Sequence, residues 1–206
     1  MLDKSFFDKD VCLLGKELLG KVICRRISGV LCKARIIETE SYSVKEKASH
    51  SSLGYTEKRK AMFMDAGTIY MYHSRAGASF NISAKGWGDA VLIKSAVAFE
   101  DNCRDALELM AENRASLGNR GAVDIKYLCS GQTLLCKSLL LKVADWNAAC
   151  FNEYFYIDDI GYVPEDIIVT SRLGIPKGRD EDKLPYRFVD KKYIKYATKG
   201  SNIKYY

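Results

Sequence analysis

The chain has 206 residues, 48% apolar and 28% charged, with 32 Lys and Arg against 26 Asp and Glu for a net charge of +6. This is enough for one globular domain with a good core. No run of about 18 apolar residues and no basic-then-apolar leader occurs, which argues against a membrane span or secretory signal and for a soluble cytoplasmic protein. Seven cysteines without a C-x-x-C pair, and only two histidines, argue against a disulfide scaffold and a zinc site, so reduced interior thiols and no cofactor or metal are expected.

The charge excess collects in "KEKASHSSLGYTEKRK" (45–60) and "KKYIKYATKGSNIKYY" (191–206). Interleaved Lys and Tyr suit phosphate contact with stacking on a polyanion. A solvated surface strand and a loose tail is the plainer account of the second stretch.

In chain order, "DKDVCLLGKELLG" (8–20) predicts a short amphipathic helix, capped by Asp8 or Asp10 and stopped by Gly20. "KVICRR" and "LCKARIIETESY", separated by "ISGV", predict a hairpin. Ser43 to Lys60 reads as a long loop, a length usually tied to function or mobility. Strands are expected at 67–74, 79–83 and 90–98, with a Gly-rich turn at 85–89. A helix at 100–116 is opened by acidic residues, and a second lies at 131–141. The segment from "YFYIDD" to "IIVTSRLGI" returns to strands, and "LPYRFV" (184–189) is the last. Without repeats or a linker, the pattern gives an α+β fold: one domain with a mixed, mainly antiparallel curved sheet and a few packed helices.

"RIIETESY" (35–42) raises the chemical question. In a strand, Glu38, Glu40 and Tyr42 share one face at intervals of roughly 6.5 to 7 Å. Carboxylates so placed repel unless water or a partner intervenes. A bare E-x-E is ordinarily an exposed strand end.

The ordered set "RIIETESY", "ASH", "MFMDAGTIYMY", "FNIS", "GDAVLIKSA", "SRLGI" and "LPYRF" resembles the alkyladenine type of 3-methyladenine DNA glycosylase, from "FFDKDVCLLGKELLG" to about Tyr196. The resemblance implies a single-domain, bacterial-type monomer acting on double-stranded DNA at the nucleoid, flipping a damaged purine from the duplex and hydrolysing its N-glycosidic bond. By position it implies that Glu40 is the general base and that Tyr42, His50 and Tyr72 wall the flipped base. It places Asn81 where guanine is excluded, Leu92 on the pocket lining, and Lys94 where the family usually has an arginine beside the catalytic water. The family's intercalating loop normally carries a bulky residue followed by Gly. Here it is one residue shorter, with His73, Ser74 and Arg75 in its place.

The chemistry fits. Water attacking the sugar C1′ needs a carboxylate to take its proton, and a purine alkylated at N3 or N7 leaves as a neutral base with little acid assistance. Cationic bases stack well on tyrosine faces. Glu38 has no evident chemical task, while Lys58, Arg59 and Lys60 are candidate phosphate contacts, with Ser74 and Arg75 at the stack. A monofunctional enzyme is expected, on the ground that no lysine stands at the carboxylate to form a Schiff base. The alternatives are a nucleic-acid-binding relative with weak or lost catalysis and a hydrolase of free nucleosides.

Overall fold

One long strand organises the architecture. The computed structural model describes residues 1–115, 124–178 and 180–199, and in it β2 (Val30–Tyr42) is the longest strand. Its amino-terminal half pairs with β1 (Val22–Ile27) across a two-residue turn in which Ser28 (φ 48°) and Gly29 (φ 86°) are both left-handed. Such a turn matches the natural twist of a tight hairpin. On the other edge β2 pairs with β5 (Ala90–Ala98), with the register disturbed only around Glu38.

Beyond β5 lie β4 (Gly77–Ser83) and β3 (Ile69–Ser74), and beyond β1 lies β6 (Phe155–Asp158). Where β1 leaves β2, β8 (Arg187–Asp190) takes over that edge and itself pairs with β7 (Ile167–Thr170). The result is an eight-stranded sheet. The sequence-based expectation was a mixed, mainly antiparallel sheet in an α+β fold; the α+β fold is observed, and every strand pairing recorded is antiparallel.

Directly paired residues share a sheet face. Tyr70, Asn81, Leu92, Glu40 and Arg187 therefore form one row across five strands. The neighbouring row, Ile69, Ile82, Val91 and Ser41, points the other way. The second face carries the core, where Ile36, Phe80, Ile82 and Ile93 meet Leu14, Met110 and Leu135 from three helices, α2 (Val11–Glu17), α3 (Arg104–Ala115) and α4 (Gln132–Ser138). The first face carries polar and aromatic side chains.

Asp10 caps α2, accepting from the backbone N–H groups of Cys12 and Leu13. Gly15 lets this helix lie against β2: a Cβ there would come within 2.5 Å of Ser41 Oγ. That approach satisfies two buried hydroxyls, Thr39 Oγ1 donating to Gly15 O and Ser41 Oγ to Val11 O, each at 2.7 Å.

Two expectations change. Strand β7 ends at Thr170, so "SRLGI" is irregular chain rather than strand, and it turns toward the polar face. Lys191–Tyr196 is a 3-10 helix rather than a surface strand, and Tyr196 is buried against Ile37 and Val97. The remainder of the basic end, 200–206, and Ser116 at the close of the expected helix lie outside the described residues. The turns Lys4–Phe7 (α1) and Val143–Trp146 (α5) were not anticipated. Of the cysteines, Cys103 and Cys150 are exposed; burial raises the pKa of Cys32 to about 11 and that of Cys129 to about 12.

Candidate active site

The polar face opens into a cavity of about 460 Å³, within the range of roughly 300–1,000 Å³ usual for small-molecule pockets. Tyr42, His50, Tyr72, Ser74, Arg75, Asn81, Leu92 and Lys94, all singled out in the sequence, line it. They come from β2, β3, β4, β5, the β3–β4 turn and the loop after β2, brought together by the register described above.

The aromatic residues make a connected wall. Tyr70 and Tyr72, alternate residues of β3, stack with ring centroids 5.6 Å apart, and His50 meets Tyr72 edge-on at 4.4 Å. His50 Nδ1 lies 2.9 Å from Tyr70 Oη, which fixes the imidazole orientation. Burial lowers the His50 pKa, and the charge of Arg59 lowers it further. The ring is therefore neutral at pH 7, and a cationic base beside it meets no charge of its own sign.

Tyr42 lines the same cavity and is braced by Arg172, whose guanidinium carbon lies 4.6 Å from the Tyr42 ring centre. Arg172, 2% exposed, donates to Ser41 O at 2.7 Å and pairs with Glu46.

Glu40 lies beneath this wall. Its side chain is fully buried and does not line the cavity. Oε2 accepts from Tyr42 Oη at 2.8 Å and from Lys94 Nζ at 3.3 Å, and Oε1 accepts from the Leu173 amide at 2.9 Å. A carboxylate offers about four acceptor sites, and these three donors fix its orientation. Burial, with the Glu40 charge adding to it, pushes the Tyr42 phenol well above its usual pKa. Tyr42 thus remains a donor to Glu40 throughout the neutral and mildly alkaline range.

Lys94 joins the carboxylate to the cavity, paired with the first and lining the second. The expectation of a single activity rested on no lysine standing at the carboxylate, and this contact removes that ground.

Glu38 occupies a separate environment. Arg187 Nε donates to its Oε1 at 2.6 Å, the Thr198 amide to its Oε2 at 2.7 Å, and Arg187 Nη2 donates to Thr198 O at 2.8 Å. Both ionic side chains are fully buried.

The candidate DNA contacts lie apart from one another. Ser74 and Gly77 close the β3–β4 hairpin, Ser74 Oγ donating to Gly77 O at 2.9 Å, so exposed Arg75 and Ala76 form its tip. Lys58 is exposed, Lys60 pairs with Glu57 at 3.4 Å, and Arg59 donates to the carbonyls of Leu53 and Gly54, bracing its own loop. Asn81 lines the cavity, and its Nδ2 donates to Tyr70 O at 3.1 Å, which leaves a second N–H and the carbonyl oxygen of the same amide.

Sequence reasoning missed Arg172 and Leu173 as individuals although "SRLGI" was noted as a motif, and it missed Gln132, which reaches the cavity from α4 and donates to Ser79 Oγ at 2.8 Å. It also missed the Arg187 partner of Glu38. Among the described residues no group of three or more His, Cys, Asp or Glu side chains could hold a metal ion, and no helix is long and apolar enough to cross a membrane.

Residues 5–193 match the family model described as methylpurine-DNA glycosylase. A Pseudomonas aeruginosa protein provisionally named a 3-methyladenine DNA glycosylase is 51% identical over 202 residues, covering 97% of this chain and 84% of its own length. One of the same provisional name from Pseudomonas savastanoi pv. phaseolicola is 51% identical, covering 97% of this chain and 90% of its own. A third so named, from Clostridium botulinum, is 32% identical over 94% of this chain and 95% of its own.

Proposed function

The chain belongs to the methylpurine-DNA glycosylase family, and from that membership and the geometry above we propose that it is a DNA-repair enzyme hydrolysing the N-glycosidic bond of alkylated or otherwise damaged purines. It acts as a cytoplasmic monomer on double-stranded DNA, on a nucleotide flipped out of the stack. The observation that carries the reading is a fully buried carboxylate held by three donors directly beneath an aromatic-walled cavity.

The flipped base enters between Tyr42 on one side and Tyr72 with His50 on the other, faces that favour an electron-poor or cationic ring. Paired with Glu40, Lys94 does not present the cation with an uncompensated like charge. Glu40 takes a proton from the water that attacks C1′, and the carboxylate faces the positive charge developing on the sugar. An alkylated purine departs neutral, which accounts for one carboxylate being enough. Arg172 and Leu173 act together, one propping the Tyr42 ring and the other orienting Glu40.

The hairpin tip presents Arg75 rather than a bulky wedge. A guanidinium plane stacks on bases and pairs with phosphate, but it offsets less of the unstacking cost, a few kcal/mol, than an aromatic wedge would. Lesions that already weaken their base pair are therefore the preferred substrates.

The test is base release from duplexes carrying 3-methyladenine, 7-methylguanine or hypoxanthine, run beside the corresponding free nucleosides. Release from DNA that weakens steeply with salt supports the reading. Release from nucleosides alone, insensitive to salt, would make the protein a nucleoside hydrolase.

A further inference from the structure

Lys94 is placed to do more than hold Glu40. Among the described residues that line the cavity it alone carries a primary amine. Its Nζ is 3.3 Å from Glu40 Oε2, and its side chain remains 11% exposed. If Glu40 activates the water that attacks C1′, then C1′ of the product sugar is left next to both groups. An abasic sugar opens to an aldehyde at C1′, and lysine amines form Schiff bases with carbonyls when a neighbouring group takes the ammonium proton. An arginine here would hold the carboxylate equally well but, being always protonated, could not act as the nucleophile.

We propose that Lys94 forms an imine with C1′ of the abasic product, giving this enzyme a DNA-nicking lyase activity in addition to base release. The inference rests on the reading above in taking the damaged nucleotide to occupy this cavity.

The steps balance without an outside reagent. Glu40 Oε2 takes a proton from the Lys94 ammonium, and the freed amine lone pair adds to the aldehyde carbon. The carbinolamine loses water to give a protonated C1′=Nζ imine. Glu40, its proton given up to the departing water, takes a proton from C2′, which drives cleavage of the C3′–O bond, the electron pair leaving with the 3′ phosphate. Water hydrolyses the remaining imine and returns the Lys94 amine.

The experiment supplies a duplex with a preformed abasic site, so imine formation is read without base excision, and includes sodium borohydride, whose hydride reduces the imine to a stable secondary amine. A covalent protein–DNA complex is expected on denaturing gels, and mass spectrometry of its peptides should place the link on Lys94. Lys94→Arg keeps the positive charge, and the trapped complex should fall to background. The mapping is done on the wild-type protein, so a misfolded variant leaves the result intact. No trapped complex, or a link on any other amine, overturns the proposal. The two readings separate cleanly: base release without trapping defeats only the lyase, and trapping on abasic DNA without release of any damaged base defeats only the glycosylase.

Discussion

Glu38 and Glu40 stand two residues apart on the same face of the same strand, and both are fully buried, yet their surroundings divide the work. Glu38 is enclosed by Arg187 and the backbone of Thr198, partners without contact with the cavity. Glu40 is held by Tyr42, Lys94 and Leu173, each of which also lines the cavity. A carboxylate among structural partners is an anchor, and one whose partners double as pocket walls is positioned for chemistry. The bulge at Glu38 and the arrival of β8 mark the boundary between the two environments.

Breaking the anchor should give the largest effect on stability. Arg187→Met leaves Glu38 charged and unpaired in the interior, with an expected cost of about 3–5 kcal/mol. The double variant Glu38→Met, Arg187→Met should recover much of that loss in chemical denaturation, because an apolar pair leaves no orphan charge. No recovery would mean that the pair contributes through its contacts with Thr198 rather than through charge balance.

On the catalytic side, Tyr42→Phe removes one of three donors to Glu40. Hydrogen bonds to charged groups contribute about 1.5–3 kcal/mol to stability, so the unfolding free energy should fall by about that much, and single-turnover base release in the folded fraction should slow by roughly 10-fold or more because the carboxylate is less firmly oriented. A loss of stability with the rate of the folded fraction unchanged would place Tyr42 with the anchor instead.

His50 gives a smaller, pH-dependent effect. Its lowered pKa means that the ring takes up a proton only below the usual histidine range. Affinity for a cationic lesion should hold at neutral pH and fall on acidification below about 6.5, and His50→Phe should abolish that fall. A decline centred above that value would contradict the neutral ring. In stability terms, the depressed pKa means that the unfolded chain binds the extra proton first, so this residue favours folding at neutral pH and ceases to as pH falls. The smallest change is expected for Arg75→Ala: if the tip contacts one phosphate, the log–log salt slope should drop by about 0.9 with base release otherwise retained, and a specific loss on well-paired lesions would show that Arg75 enters the stack.

Much of this was legible in the sequence because it is local. β-rich runs marked β2 and β5, the Ser28–Gly29 pair marked the hairpin, and Asp8 or Asp10 marked the start of α2. Once the strands pair, Tyr42, Tyr72, Asn81 and Lys94 fall on one face through the period of two. The partners of the two glutamates were not legible, since Leu173 lies 133 residues from Glu40 and Arg187 lies 149 from Glu38. No spacing rule spans such distances. "SRLGI" misled because "IIVTSRLGI" reads as a continuing strand; the chain leaves the sheet at Ser171 so that Arg172 can pair with Glu46 and the Leu173 amide can reach Glu40.

The division of labour is tested most directly by measuring Glu38→Gln and Glu40→Gln side by side for single-turnover release of a damaged purine and for unfolding free energy. The amide at position 40 cannot take the proton, and base release should fall by at least ~100-fold, with binding of lesion-bearing duplex maintained. The amide at position 38 should instead lower stability by about 3–5 kcal/mol while leaving most of the rate in the folded fraction. If Glu40→Gln keeps more than about a tenth of the wild-type rate, a loss well short of what general-base catalysis contributes, or if Glu38→Gln proves the more damaging to chemistry, the assignment of the two carboxylates is wrong.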